Sequence, residues 1–174
     1  QIQKLSASAD STQYTILPNQ EAANTGLTLL PPHSNRDLFW DLEGFPLADD
    51  GLEYLWGCTY FEESGERLFW ERWAHEHEQE KAAFIDFITF AYQRWRDFPH
   101  MHIYHYGHYE INVCQRLMGR YGVCEFEVDE LLRNKVFIDL YKIVRHGILI
   151  GEPKYSIKNV EHLYRPVRDT EVAS

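Results

Sequence analysis

An α/β fold built on a mixed sheet is predicted by three features of the sequence. Aromatic and β-branched residues alternate in three consecutive runs between Asp37 and Trp73, the period-2 pattern of half-buried strands. A stretch from about Glu78 to Phe98 then places Phe84, Ile88, Ala91 and Trp95 on one helical stripe, widened by Ile85 and Tyr92. Beyond Pro99 short strand-like and helix-like segments alternate to the end, giving the order βββαβααβα and helices packed on a mixed sheet.

The first clear strand surrounds Asp41, and the next two run from Leu52 to Phe61 and from Arg67 to Trp73. Asp49-Asp50-Gly51 and Glu63-Ser64-Gly65 supply the turns of an antiparallel meander. After the long helix, Met101 to Tyr106 reads as a fourth strand that Gly107 breaks. A helix from about Tyr109 to Met118 stops at Gly119, and another covers about Phe126 to Leu132. Val136 to Leu140 is short, branched and continuous, as expected of a buried fifth strand. Ser156 has the character of an N-cap for a helix through about Leu163, ended by Pro166. Residues 1 to about 35, rich in Ser, Ala, Asn, Gln and Pro, read as a partly ordered leader or linker. Within it, Tyr14–Leu17 and Leu27–Leu30 are expected to add short edge strands.

With 174 residues, 44% of them hydrophobic, the chain can bury one sizeable core. It contains no apolar run near the roughly 20 residues of a membrane span. The three cysteines, Cys58, Cys114 and Cys124, are odd in number and lack CxxC spacing. They therefore read as small buried hydrophobes in a reducing cytoplasm. A net charge of −10 argues against tight nucleic-acid binding. Its distribution softens this, with 7 basic and 18 acidic residues up to Cys114, then 10 basic and 9 acidic. Arg116, Arg120, Arg133, Lys135, Lys142, Arg145, Lys154, Lys158, Arg165 and Arg168 either line a groove or are scattered solvated charges.

Chemistry concentrates in Asp37-Leu38-Phe39-Trp40-Asp41-Leu42-Glu43-Gly44. Successive strand side chains point to opposite faces, so Asp41 and Glu43 share one face while Trp40 and Leu42 share the other. Adjacent carboxylates repel unless a divalent cation neutralises them, and clustered oxygens are the ligand set of such ions. The second element is His105-Tyr106-Gly107-His108-Tyr109-Glu110, at the passage from the fourth strand into a helix. Glu110 then lies near the positive end of a helix dipole and, with strands one and four adjacent, faces Asp41 and Glu43. Two ions roughly 3.5–4 Å apart, held by such carboxylates, are a means of cleaving phosphodiesters. A zinc site is disfavoured, because His102 and His105 fall on opposite strand faces. His108 and Tyr109 flank Glu110 and either pack on a base or form part of the rim. Lys158, in the first turn of the Ser156 helix, suits a phosphate contact. Asp139 reads as a strand-end hydrogen-bonding acid, and Trp40, Trp56, Trp70 and Trp73 as core or sheet-face packing.

DLFWDLEGFP resembles the first motif of the DEDD, DnaQ-like exonucleases of the ribonuclease H-like superfamily, and HYGHYE resembles their second, with Glu110 replacing the usual Asp. The ordered series DLEGFP, GLEYLWG, EKAAFIDFI, MHIYHYGHYE, VFIDLYKIVRHGI and YSIKNVEHLY is similar to the ribonuclease H-like domain of RecB-family nucleases, from about Leu29 to the end. The resemblance implies a ribonuclease H-like mixed five-stranded sheet over residues 36–174. It implies two Mg²⁺ or Mn²⁺ ions held by Asp41, Glu43 and Glu110, and 3′–5′ exonuclease cleavage of DNA rather than RNA. His105 matches a position beside the metals, where it either contacts substrate or is a satisfied structural histidine. RecB-like nuclease or helicase domains are then expected in the same chain. The superfamily's third motif, a helix carrying a fourth Asp, has no counterpart here; with no initial Met, the sequence reads as a piece of something longer, missing its C-terminal motif helix and cutting weakly or not at all alone. The rival expectation is an inactive ribonuclease H-like scaffold that positions nucleic acid or a partner domain.

Overall fold

Alternation of buried and exposed residues along Leu38–Phe45 builds the central strand of the computed structural model, which describes residues 13–47 and 51–165. In chain order the elements are β1 (Tyr14–Ile16), α1 (Gln20–Ala23), a 3₁₀ turn (Gly26–Leu29), β2 (Leu38–Phe45), β3 (Leu52–Phe61) and β4 (Arg67–Trp73). There follow α2 (His77–Asp97), β5 (Ile103–His105), α3 (Tyr109–Tyr121), α4 (Glu125–Arg133), β6 (Phe137–Asp139), α5 (Leu140–Gly147), β7 (Ile148–Ile150), α6 (Ile157–Val160) and a second 3₁₀ turn (Glu161–Leu163). They fall into two compact units, one of residues 31–140, the other drawing its described residues from segments 1–30 and 141–174.

The first unit holds a mixed five-stranded sheet in the order β4-β3-β2-β5-β6 with helices against it, the architecture expected from the sequence. Strands β2, β3 and β4 form the antiparallel meander, while β5 pairs parallel with both β2 and β6. Asp37 fixes the β2–β5 join: its buried carboxylate accepts the His102 N–H at 2.8 Å and the Ser34 N–H at 2.9 Å. On one sheet face Leu38, Trp40, Leu42, Trp56 and Cys58 pack against Phe84, Phe87, Ile88 and Ala91 of α2. The Trp40 and Phe87 rings stack with centroids 4.5 Å apart. Burying each such side chain contributes about 1.5–3 kcal/mol, so this layer supplies much of the unit's stability. Helix α2 places Phe87 rather than Ile85 fully inside and keeps Trp95 at the edge of the core. Trp73 packs on the sheet face, stacked on Tyr54 with ring centroids 6.2 Å apart, and stays half exposed.

In the other unit, β1 and β7 pair antiparallel, Tyr14 opposite Ile150. Gln20 knits the unit together from a buried position. Its amide donates to the carbonyls of Leu17 and Gly147, both at 2.7 Å, and its Oε1 accepts the Leu27 N–H at 2.6 Å. That last bond helps explain why Leu27–Leu30 does not form the expected strand: the segment is drawn into the 3₁₀ turn after Gly26, whose φ is 61°.

Three other expectations shift. The fourth strand shortens to Ile103–His105, because Met101 bonds back to Phe98 and Gly107 turns with φ 101°. The helix after Ser156 is α-helical for four residues and then tightens to 3₁₀. Helix α5 and strand β7, absent from the expected order, occupy Leu140–Ile150. The Asp49-Asp50 turn and the stop at Pro166 lie outside the described residues. The cysteines are all free. Burial pushes the Cys58 thiol up to about 12 and Cys124 up to about 11, which suits packing rather than reactivity.

Candidate active site

The alternation of β2 sends Asp41 and Glu43 to the sheet face opposite the core, both exposed, while Trp40 and Leu42 are buried. Opposite Asp41 on β3 stands Gly57, so no Cβ crowds the carboxylate from that side. A register shift between Glu43 and Gly44 then bends the end of β2. Across the sheet, β5 ends at His105, and Gly107 turns the chain into α3. The Gly107 N–H is held by Asp139 Oδ1 at 2.9 Å, so Asp139 acts as the strand-end hydrogen-bonding acid read from the sequence.

Glu110 occupies the first turn of α3, where the helix dipole favours a carboxylate. It is buried, at 4% exposure, and its Oε2 has no hydrogen-bond partner. His105 Nδ1 lies 3.6 Å from that oxygen, and instead donates to the Gly107 carbonyl at 2.8 Å. An unsatisfied buried carboxylate oxygen is costly, and such an orphan calls for an explanation.

The three acids share one electrostatic field. The Asp41 carboxyl is held above its ordinary value by burial first, then by the charges of Glu110 and Glu43, against a small opposing pull from the Leu42 backbone. Its side chain touches solvent, yet the protein mass around it strips enough water for those neighbours to be felt. Among the described residues, however, no three His, Cys, Asp or Glu side chains gather tightly enough to grip an ion as they stand. The donor set itself, three carboxylates including a buried orphan oxygen, suits a hard divalent cation.

The remaining candidates divide. His105 is in the site, against Glu110 and edge-on to Trp40. His108 is exposed at the rim, its Nδ1 3.8 Å from Asp139 Oδ2. Tyr109 is half exposed, and its hydroxyl donates to Glu53 Oε2 at 2.8 Å. Lys158 is exposed on α6, in the other unit, beside the Ser156 cap that accepts the Asn159 N–H. The expected basic groove loses members: Arg116 pairs with Glu53, Arg120 with Glu80 and Arg133 with Asp129.

Reading the sequence missed the two buried acids beside this site. Glu53 of β3 receives Tyr109 and Arg116, while Glu80 of α2 accepts the Glu53 N–H at 2.6 Å and the Tyr121 hydroxyl at 2.7 Å. For Glu53 the available signal was its place between Leu52 and Tyr54-Leu55, where a solvated charge has no reason to sit; Glu80, inside the charged run His75–Lys81, offered none.

A mixed five-stranded sheet with acids at the centre of β2 and at the entrance of the helix after β5 defines a ribonuclease H-like α/β protein. A family model described as RNase_H superfamily matches residues 38–174, and the chain belongs to that superfamily. Membership brings with it a nuclease-type function and nucleic acid as the partner. No curated protein and no solved structure matches the chain. Among the described residues no helix is long and apolar enough to cross a membrane.

Proposed function

We propose that the domain is a divalent-metal-dependent nuclease that hydrolyses DNA as a 3′–5′ exonuclease of the DEDD type. The observation that carries this reading is the buried Glu110 oxygen, left without a partner on a site where Asp41 already feels the charges of Glu110 and Glu43. Asp41, Glu43 and Glu110 would hold the metal. When bound, Mg²⁺ or Mn²⁺ supplies activation of water and neutralises charge at the scissile phosphodiester.

The chain's own residues supply the rest. Mutual repulsion of three carboxylates favours an open arrangement without a cation, and a dication reverses the sign of that interaction. His105 holds the β5–α3 turn through the Gly107 carbonyl and thereby keeps Glu110 at the site. His108 and the exposed ring of Tyr109 stand at the rim, where a terminal base would stack. Lys158 is assigned to a backbone phosphate. The similarity of the motif series to RecB-family nucleases supports placing the domain beside RecB-like nuclease or helicase domains in one protein.

The test is release of nucleotides from a 3′-labelled DNA strand by the full-length protein in Mn²⁺. Asp41→Ala should abolish it while leaving the circular-dichroism spectrum intact. Retained activity would overturn the assignment, and DNA binding without metal uptake would leave only a scaffold role.

A further inference from the structure

The rim of the site is tied down by a polar clamp anchored on a buried acid. At the β2–β3 register shift, Gly44 faces Glu53, and the Tyr109 hydroxyl lies directly over the glycine. A Cβ built on Gly44 would fall 2.1 Å from that hydroxyl and 2.5 Å from Glu53 Oε2. Position 44 is therefore glycine for space, and the space is filled by a side chain from the first turn of α3.

Glu53 is only 2% exposed and could not hold its charge there unsupported. Its carboxylate is paired by Arg116, two turns along the same face of α3 as Tyr109, and accepts the Tyr109 hydroxyl at 2.8 Å. Its N–H is anchored to Glu80 Oε2 on α2. The hydroxyl thus joins a buried, paired acid on β3 to the residue immediately before Glu110, passing over the residue immediately after Glu43. Burial, and then the bond to Glu53, keep the phenol protonated well above neutral pH, so it remains a donor.

We propose that the Glu53–Tyr109 bond is a positioning device. It pins the first turn of α3 to the β2–β3 bulge and so sets the spacing between Glu110 and the Asp41/Glu43 pair. The inference rests on the reading of those three acids as the metal site. Tyr109 and Glu53 are positioning residues, acting on the metal through the placement of Glu110.

Tyr109→Phe removes the hydroxyl and keeps the ring. In the metal-free protein, amide exchange at Asn112, Val113 and Cys114 should quicken about five- to tenfold, the loss of one hydrogen bond, with exchange in β3 and α2 unaltered. Mn²⁺ affinity should weaken about tenfold, and Gly44→Ala, which drives a methyl group into the hydroxyl, should do the same. In a Glu110→Gln background Tyr109→Phe should cost no further affinity, an effect that mere destabilisation would not produce. Unchanged exchange in Tyr109→Phe overturns the clamp by itself. Equal loss of affinity in both backgrounds overturns its action through Glu110. A wild-type chain that takes up no Mn²⁺ overturns the metal-site reading, and the positioning role with it, while exchange still reports whether the clamp exists.

Discussion

His105 Nδ1 stands 3.6 Å from Glu110 Oε2, with both side chains buried, and gives its proton to the Gly107 carbonyl instead. The histidine therefore shapes the turn that delivers Glu110 without satisfying the acid. Its ring also lies edge-on to Trp40 and Phe137. His105→Ala should cost about 2–3 kcal/mol, from the lost buried hydrogen bond and the cavity left among those rings. Urea unfolding of the metal-free protein measures this; a change below about 0.5 kcal/mol would remove His105 from the turn's support.

Asp41 gives a pH signature. Its folded pKa lies above the ordinary value of 3.8 because burial, Glu110 and Glu43 all oppose ionisation. The native state consequently takes up the proton first as pH falls, and ionised Asp41 is a liability to folding. That liability is absent below 3.8 and grows as pH rises through the raised folded value. Asp41→Asn should raise the metal-free Tm at neutral pH by about 1–3 °C, discounting for solvent screening at an exposed side chain. The gain should vanish on acidification below the ordinary carboxylate range. A gain that persists or grows in acid would contradict the assigned repulsion.

Phe87 tests the core that supports β2. It is fully buried, with ring contacts to Trp40, Trp56 and Trp70 at 4.5, 6.1 and 5.6 Å. Phe87→Ala should destabilise by about 3–5 kcal/mol. Phe69, 60% exposed on β4, should tolerate alanine within about 0.5 kcal/mol. Chemical denaturation of both variants checks the contrast.

Glu80 is fully buried and accepts bonds from the Glu53 backbone, the Tyr121 hydroxyl and Arg120. Glu80→Leu strands the Glu53 N–H in the interior, while the Tyr121 hydroxyl keeps the His77 carbonyl at 3.0 Å, so the change should cost about 2 kcal/mol in urea unfolding. A neutral outcome would mean the network is dispensable.

These residues also mark where the sequence was readable. Leu38–Phe45 and α2 declare themselves because each has a solvated side, so period 2 and period 3.6 appear directly in the apolar positions. The same alternation placed Asp41 and Glu43 on one face, and the strand–turn–helix pattern placed Glu110. By contrast β7 is three residues long, too short to show a period, and its partner β1 lies more than a hundred residues away. Helix α5 follows β6 without a break, so no cap residue announces it. The roles of Glu53 and Glu80 were not legible because their partners are remote: Tyr109 is 56 residues from Glu53, and Tyr121 is 41 from Glu80. Such pairings exist only once the sheet is assembled.

Mn²⁺ binding, followed by electron paramagnetic resonance on the wild type, Asp41→Asn and Glu110→Gln, tests the three-carboxylate metal site. Saturable uptake is expected of the wild type, weakened at least about tenfold in each variant through the loss of a charged oxygen ligand. Equal affinity in all three proteins, or no uptake by the wild type, would contradict it.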